Sequence, residues 1–182
     1  MTDPTTDRSA LALEVARAVR DVPDFPTKGI LFKDITPVLK DPLLFARTTT
    51  AMAAAFAEDG ITHVVAIESR GFIFGGPIAQ HLGASLVPVR KAGKLPHATR
   101  RVSYDLEYGT DHLEMHEDAL GEGAHVLVVD DVLATGGTAR AVCSLVEELG
   151  GVVAGCSFLI ALSFLPGLDV LRDRRVTSIV QY

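Results

Sequence analysis

A chain of 182 residues, 48% hydrophobic and 22% charged, has the balance of an ordinary globular protein and is long enough to bury a substantial core as one domain. Its net charge of -6 excludes a nonspecific grip on nucleic acid, which needs basic surface. The polar opening MTDPTTDRSA has no apolar signal core, no apolar run is long enough to span a bilayer, and two cysteines are too few for a disulfide framework. A cytoplasmic protein is expected, with Cys143 and Cys156 as buried free thiols.

Apolar residues at helical spacing predict a first helix over Leu11–Val19. An Ala-rich helix is expected over Leu43–Ala57, with Asp41 as its N-cap ahead of Pro42. A strand over His63–Ile67, a helix over Gly75–Leu82 and a strand over Ser85–Val89 follow. Val126–Val129 reads as the next strand and Ala139–Leu149 as the next helix, stopped by Gly150-Gly151. Val152–Leu162 and Thr177–Val180 complete the strands. The alternation implies an α/β fold: a central, mostly parallel sheet flanked by helices, with right-handed crossovers. Residues 23–40 and 91–116 break it, and are expected to form a small flanking subdomain and a long hairpin or lid.

The run VLVVDDVLATGGTAR (126–140) carries the most chemistry. A buried strand leads to Asp130 and Asp131, then to a loop closing on Thr135-Gly136-Gly137-Thr138 and a helix. Such a loop crowds backbone N–H groups around an anion, and the helix N-terminus adds its positive dipole end. The Walker lysine is missing, so nucleoside triphosphate hydrolysis is not implied. Two carboxylates beside a phosphate make sense if they accept hydrogen bonds from sugar hydroxyls or act through Mg²⁺. The pattern suits a phosphorylated sugar.

Ligands of open α/β sheets collect at the C-terminal ends of the strands. Two other predicted strands end in Glu68-Ser69-Arg70-Gly71 and in Arg90-Lys91, so a second anion-binding region is expected there. Leu95–Gly109 is the candidate moving segment, and Glu107 within it is a carboxylate that a closing loop could deliver as general acid or base. His112 and His116 have zinc-like helical spacing but lie in an extended segment with no third ligand nearby, so no protein metal site is expected. Arg172–Arg175 reads as a solvated charged turn.

Together the segments DVPDFPTKGILFKDITPVLKDP, IESRGFIFGGPIA, VPVRKAGKLP, YDLEYG and VLVVDDVLATGGTA resemble the adenine phosphoribosyltransferases, a type I phosphoribosyltransferase family, over nearly the full chain. The resemblance implies one domain over residues 1–182, with a hood at about 21–40 and a flexible catalytic loop at about 95–110. It implies transfer of ribose 5-phosphate from 5-phosphoribosyl 1-pyrophosphate (PRPP) to N9 of adenine by a homodimer, with Mg²⁺ bound mainly through PRPP. Residue by residue, Ala134, Thr135, Gly136, Gly137 and Thr138 would hold the 5′-phosphate, and Asp130 and Asp131 the ribose hydroxyls. Ser69, Arg70, Arg90, Lys91 and Lys94 would meet pyrophosphate, with a cis peptide at Glu68-Ser69. Adenine would lie against Phe32 and the backbone of Leu31 and Lys33, while Glu107 and Arg70 would serve catalysis. Lys33 departs from the family, which often carries Arg there. Two other readings stand beside this one: a phosphoribosyltransferase for another purine base, and a non-catalytic PRPP-sensing regulator.

Overall fold

The computed structural model describes residues 4–106 and 109–182. The chain runs α1 (Pro4–Ala18), β1 (Arg20–Pro23), β2 (Leu31–Asp34), α2 (Thr36–Lys40), α3 (Pro42–Ala54), β3 (His63–Ile67), α4 (Gly71–Leu82) and β4 (Ser85–Lys91). It continues through β5 (Thr99–Leu106), β6 (Gly109–His116), β7 (His125–Leu133), α5 (Gly137–Glu148), β8 (Val152–Ala161), α6 (Gly167–Val170) and β9 (Val176–Gln181).

The main sheet has the order β5-β6-β4-β3-β7-β8-β9. Pairings from β4 through β3, β7 and β8 to β9 are parallel, and only the β4–β6 and β5–β6 pairs are antiparallel. Because side chains alternate across a strand, the two faces of this sheet feed two separate cores. Val64, Leu127 and Val129 pack with Leu11, Val15, Met52, Phe56 and Phe74 on one face. Val65, Ile67, Val126 and Val128 pack with Val142, Leu145 and Val146 of α5 on the other. Uninterrupted Val/Ile/Leu runs in β3 and β7 are thus the signature of strands covered on both sides.

The element boundaries shift for physical reasons. Helix α4 starts at Gly71 rather than Gly75, without any side-chain cap to announce it. Strand β7 runs through the acidic pair to Leu133, since Asp130, Val132 and Leu133 stay in register with Phe158, Ile160 and Ala161 of β8. Residues 20–34 form a separate two-stranded antiparallel sheet, β1–β2, followed by α2. The 91–116 segment is a hairpin in the main sheet: β5 and β6 pair from Thr99↔His116 to Leu106↔Gly109, and β6 pairs with the end of β4.

Asp41 caps α3 as expected, its carboxylate accepting from the N–H groups of Leu43 and Leu44, both at 3.0 Å. Cys143 and Cys156 are buried free thiols with sulfurs 3.7 Å apart. The charged turn near 172–175 is more structured than a solvated run. Asp173 takes two contacts from Arg140 at 2.6 and 2.7 Å, Arg174 meets Glu147 at 2.5 Å, and Arg175 pairs with Asp59 at 2.7 Å while lying over the Phe56 ring. Among the described residues no helix is long and apolar enough to cross a membrane. Replacing Asp41 by Ala leaves two helix-start N–H groups without their side-chain acceptor, and is expected to cost about 1 kcal/mol. Urea unfolding should show that loss as a lower midpoint, with the slope unchanged.

Candidate active site

Parallel strands bring their C-terminal ends to one edge of the sheet, and the candidate residues gather there. The loop after β7 and the start of α5 form a concavity lined by Asp130, Ala134, Thr135, Gly136 and Thr138. Gly136 holds a left-handed φ of 84°, and a Cβ there would stand 3.0 Å from the Gly167 backbone and from the Val170 Cβ. Only glycine lets the loop turn so tightly against α6 while its amides face inward. Helix α5 then begins at Gly137, so its first free N–H groups point toward this concavity.

The acidic pair stands beside the loop. Asp131 is buried and Asp130 is half-buried, with Asp130 Oδ1 accepting the Asp131 N–H at 2.9 Å. Burial, and then the neighbouring Asp131 charge, push the Asp130 carboxyl well above the usual range. Asp131 is also pushed up by burial, opposed mainly by Arg70. Arg70 Nε lies 3.0 Å from Asp131 Oδ2. Gly71 makes this approach possible, for a Cβ there would sit 2.8 Å from the Val129 carbonyl and 3.0 Å from Asp130 Oδ1.

Arg70 also reaches the small β1–β2 sheet. Its guanidinium carbon stands 5.3 Å from the Phe32 ring centroid, a cation–π contact. Phe32 in turn meets Phe25 edge-on at 5.1 Å. One side chain therefore joins the aromatic face of the small sheet to the acidic pair. Leu31 is exposed. The Lys33 side chain is drawn aside: its ammonium pairs with Asp21 at 2.6 Å and sits 3.9 Å from the Tyr182 ring centroid.

The predicted cations divide. Arg90 and Lys94 converge on Glu68, which joins β3 to Ser69 through the expected cis peptide. Lys91 turns its ammonium to Asp111 of β6, 3.0 Å away, which raises the lysine and lowers the aspartate. Glu107 and Tyr108 lie outside the described residues. Two side chains that sequence reasoning passed over also belong here. Tyr104 of β5, on the strand packed against α5, donates to Asp111 of β6 at 3.3 Å, and burial raises the phenol. Glu114 is buried, accepting from Gly93 N–H at 2.9 Å and from Arg101 at 2.6 and 2.9 Å, which fixes the turn after β4. The YDLEYG segment was the available signal for Tyr104; Glu114 had none.

Residues 36–173 match the model of the phosphoribosyl transferase domain family. The adenine phosphoribosyltransferase of Myxococcus xanthus is 52% identical over 98% of this chain and 97% of its own length. That of Methylococcus capsulatus is 54% identical over 90% of this chain and 96% of its own. The chain belongs to the adenine phosphoribosyltransferase family. Among solved members, the Rhodothermus marinus enzyme superposes with a TM-score of 0.91 at 52% identity, covering 96% of this chain and 99% of the other. The Saccharomyces cerevisiae enzyme, crystallised with adenine and an imino-altritol bisphosphate, gives 0.89 at 40% identity over 94% and 99%. The α/β fold with a mostly parallel sheet is the family's.

The raised Asp130 carboxyl has a consequence for stability. A folded-state pKa above the unfolded value of about 3.9 favours the protonated acid, so ionisation of this group subtracts stability as pH climbs from about 4 through the folded pKa. Asp130→Asn removes that cost while keeping an acceptor for the Asp131 N–H. It should melt at a higher temperature than the parent at pH 7, with the gain vanishing near pH 4. Scanning calorimetry at both pH values decides; an equal or lower melting temperature at pH 7 contradicts the assignment.

Proposed function

We infer that this chain transfers the 5-phosphoribosyl group of PRPP to N9 of adenine, giving AMP and pyrophosphate. The observation that carries the reading is Arg70, whose guanidinium touches Phe32 on one side and Asp131 on the other. An aromatic face for a base and a carboxylate for a ribose thus meet at one cation, next to a loop built for a 5′-phosphate.

In this reading Ala134–Thr138 hold the 5′-phosphate through loop amides, the α5 N-terminus and the threonine hydroxyls. Asp130 and Asp131 accept hydrogen bonds from the ribose hydroxyls, which compensates their burial. Ser69 and Arg70 meet the pyrophosphate, Arg90, Lys91 and Lys94 neutralise it, and Lys91 must exchange Asp111 for it. Adenine lies on Phe32. Strand β2 pairs only with β1 among the described residues, so its other edge keeps backbone groups for the base. Pro23, in register with Leu31, has no N–H to give it, which favours turning the backbone of Leu31 and Lys33 toward that free edge. Lys33, held by Asp21 and Tyr182, then braces the strand rather than touching the base.

Asp131 Oδ2 is buried and faces Arg70 Nε at 3.0 Å with no further hydrogen bond, an acidic oxygen beside the glycine loop. No set of three metal-ligating side chains exists among the described residues, so the fit is to a cation carried by substrate oxygens, with Asp130 and Asp131 alongside. Mg²⁺ so held supplies charge neutralisation on the leaving pyrophosphate. N9 forms its bond to the anomeric carbon as the bond to the pyrophosphate oxygen breaks. Glu107 exchanges the proton with the purine ring. The β5–β6 hairpin, packed against α5, screens the loop from water. The small unit at about 21–40 acts as the hood, and movement of the 95–110 segment admits the substrates. We further place the enzyme in the cytoplasm, where the Cys143 and Cys156 thiols stay reduced, and expect light scattering to read twice the chain mass for a homodimer.

Incubation of the protein with PRPP, Mg²⁺ and adenine, hypoxanthine or guanine in turn should yield AMP rapidly and the other nucleotides far more slowly. Equal use of hypoxanthine would move the assignment to another purine, and binding of PRPP without turnover would make the chain a sensor. Glu107→Gln should lower kcat by roughly a hundredfold or more while PRPP binding changes little. An unchanged kcat would remove Glu107 from the proton transfer.

A further inference from the structure

Glu68 closes the end of β3, where its backbone N–H donates to the Val89 carbonyl at 2.9 Å. Its side chain is only 9% exposed, and it faces donors from the end of β4 and the turn that follows. The Lys91 N–H donates to Oε2 at 3.0 Å, the Lys94 ammonium donates to Oε1, and Arg90 Nε lies 3.4 Å from Oε2. Arg90 also donates to the Lys94 carbonyl at 3.0 Å, closing the turn on itself. Burial pushes the Glu68 carboxyl up, but the Lys94 hydrogen bond, the Lys91 N–H and the two cations together hold it below the usual range. The group is therefore ionised in the resting chain.

A buried carboxylate gripped by an ammonium, an amide and a guanidinium offers these donors what a pyrophosphate oxygen offers. Arg90 Nε is itself buried and makes no hydrogen bond, despite its nearness to Glu68. The grip on Glu68 thus leaves one strong donor unused, as expected of a partner that another anion replaces.

We propose that Glu68 is a positioning residue that occupies the pyrophosphate-binding cations of the resting enzyme and weakens their hold on released pyrophosphate. The inference rests on the proposed reading of Arg90 and Lys94 as pyrophosphate ligands. Before substrate arrives, the carboxylate keeps two long, flexible side chains in one place and spares the arriving anion the cost of ordering them. Once pyrophosphate is free of the sugar, the same carboxylate competes for Lys94 and Arg90 and favours release.

The experiment is initial-rate inhibition by pyrophosphate against varied PRPP, at saturating adenine, in the parent enzyme, Glu68→Gln and Glu68→Asp. Pyrophosphate should compete with PRPP in the parent. Glu68→Gln, isosteric but uncharged, should lower the inhibition constant about tenfold, a change of about 1.4 kcal/mol. The KM for adenine should not move, which a general loosening of the site would not permit. Glu68→Asp keeps the charge but withdraws it, and should fall between the two; if Glu68→Gln proves unfolded by circular dichroism, this variant decides with the same sign. An unchanged or higher inhibition constant in the folded variants, with competition present in the parent, overturns this inference alone. No competition in the parent overturns the inference together with the pyrophosphate reading beneath it.

Discussion

The site turns on the contact between Arg70 and Asp131. Asp131 stands on a strand covered on both faces, where a carboxylate next to a second carboxylate is costly to keep ionised. Arg70, at the start of α4, relieves part of that cost from 3.0 Å away. For the two to meet, α4 must press against β7, and Gly71 is the residue that allows the approach. The same guanidinium lies over Phe32, so the position of the small β1–β2 sheet is tied to the charge state of the strand end. The aromatic face of the small sheet and the acidic pair are thereby linked through one side chain.

A second layer of carboxylates organises the cations. Glu68 holds Arg90 and Lys94, Asp111 holds Lys91, and Glu114 holds Gly93 and Arg101. Each basic group proposed to meet pyrophosphate after β4 is matched in the resting chain by an internal acid. That balance fits a chain of net charge -6 that must still attract a polyanion: the positive field is local and is exposed by exchange of partners. It also gives the turn after β4 fixed hydrogen-bond partners although its residues are mostly exposed.

Much of this was legible in the amino-acid order. The apolar runs of β3 and β7 declared strands of a parallel sheet, and the Asp-Asp and Thr-Gly-Gly-Thr spacing declared a loop between a strand end and a helix. Asp41 and the cis Glu68-Ser69 peptide were also foreseen. The start of α4 was missed because Arg70 gives no capping signal, and the end of β7 because adjacent acids look like a loop while their backbone remains in the ladder. The 91–116 segment was half seen: its length and its break from the alternation suggested a long hairpin or lid, and the hairpin joins the main sheet with Leu113 and Met115 burying one face of β6. Contacts across long stretches of chain, such as Phe32 with Arg70, Glu68 with Lys94 and Lys33 with Tyr182, leave no local trace. Only the fold brings those pairs together.

The central claim is that the acidic pair is a ribose-hydroxyl site kept ready by Arg70. Calorimetric titration of PRPP with Mg²⁺ into the parent and into Asp131→Asn tests it most directly. The account predicts tenfold or greater weakening in the folded variant, since an amide cannot accept at both atoms where a carboxylate can. Parent-like PRPP affinity in Asp131→Asn would contradict it.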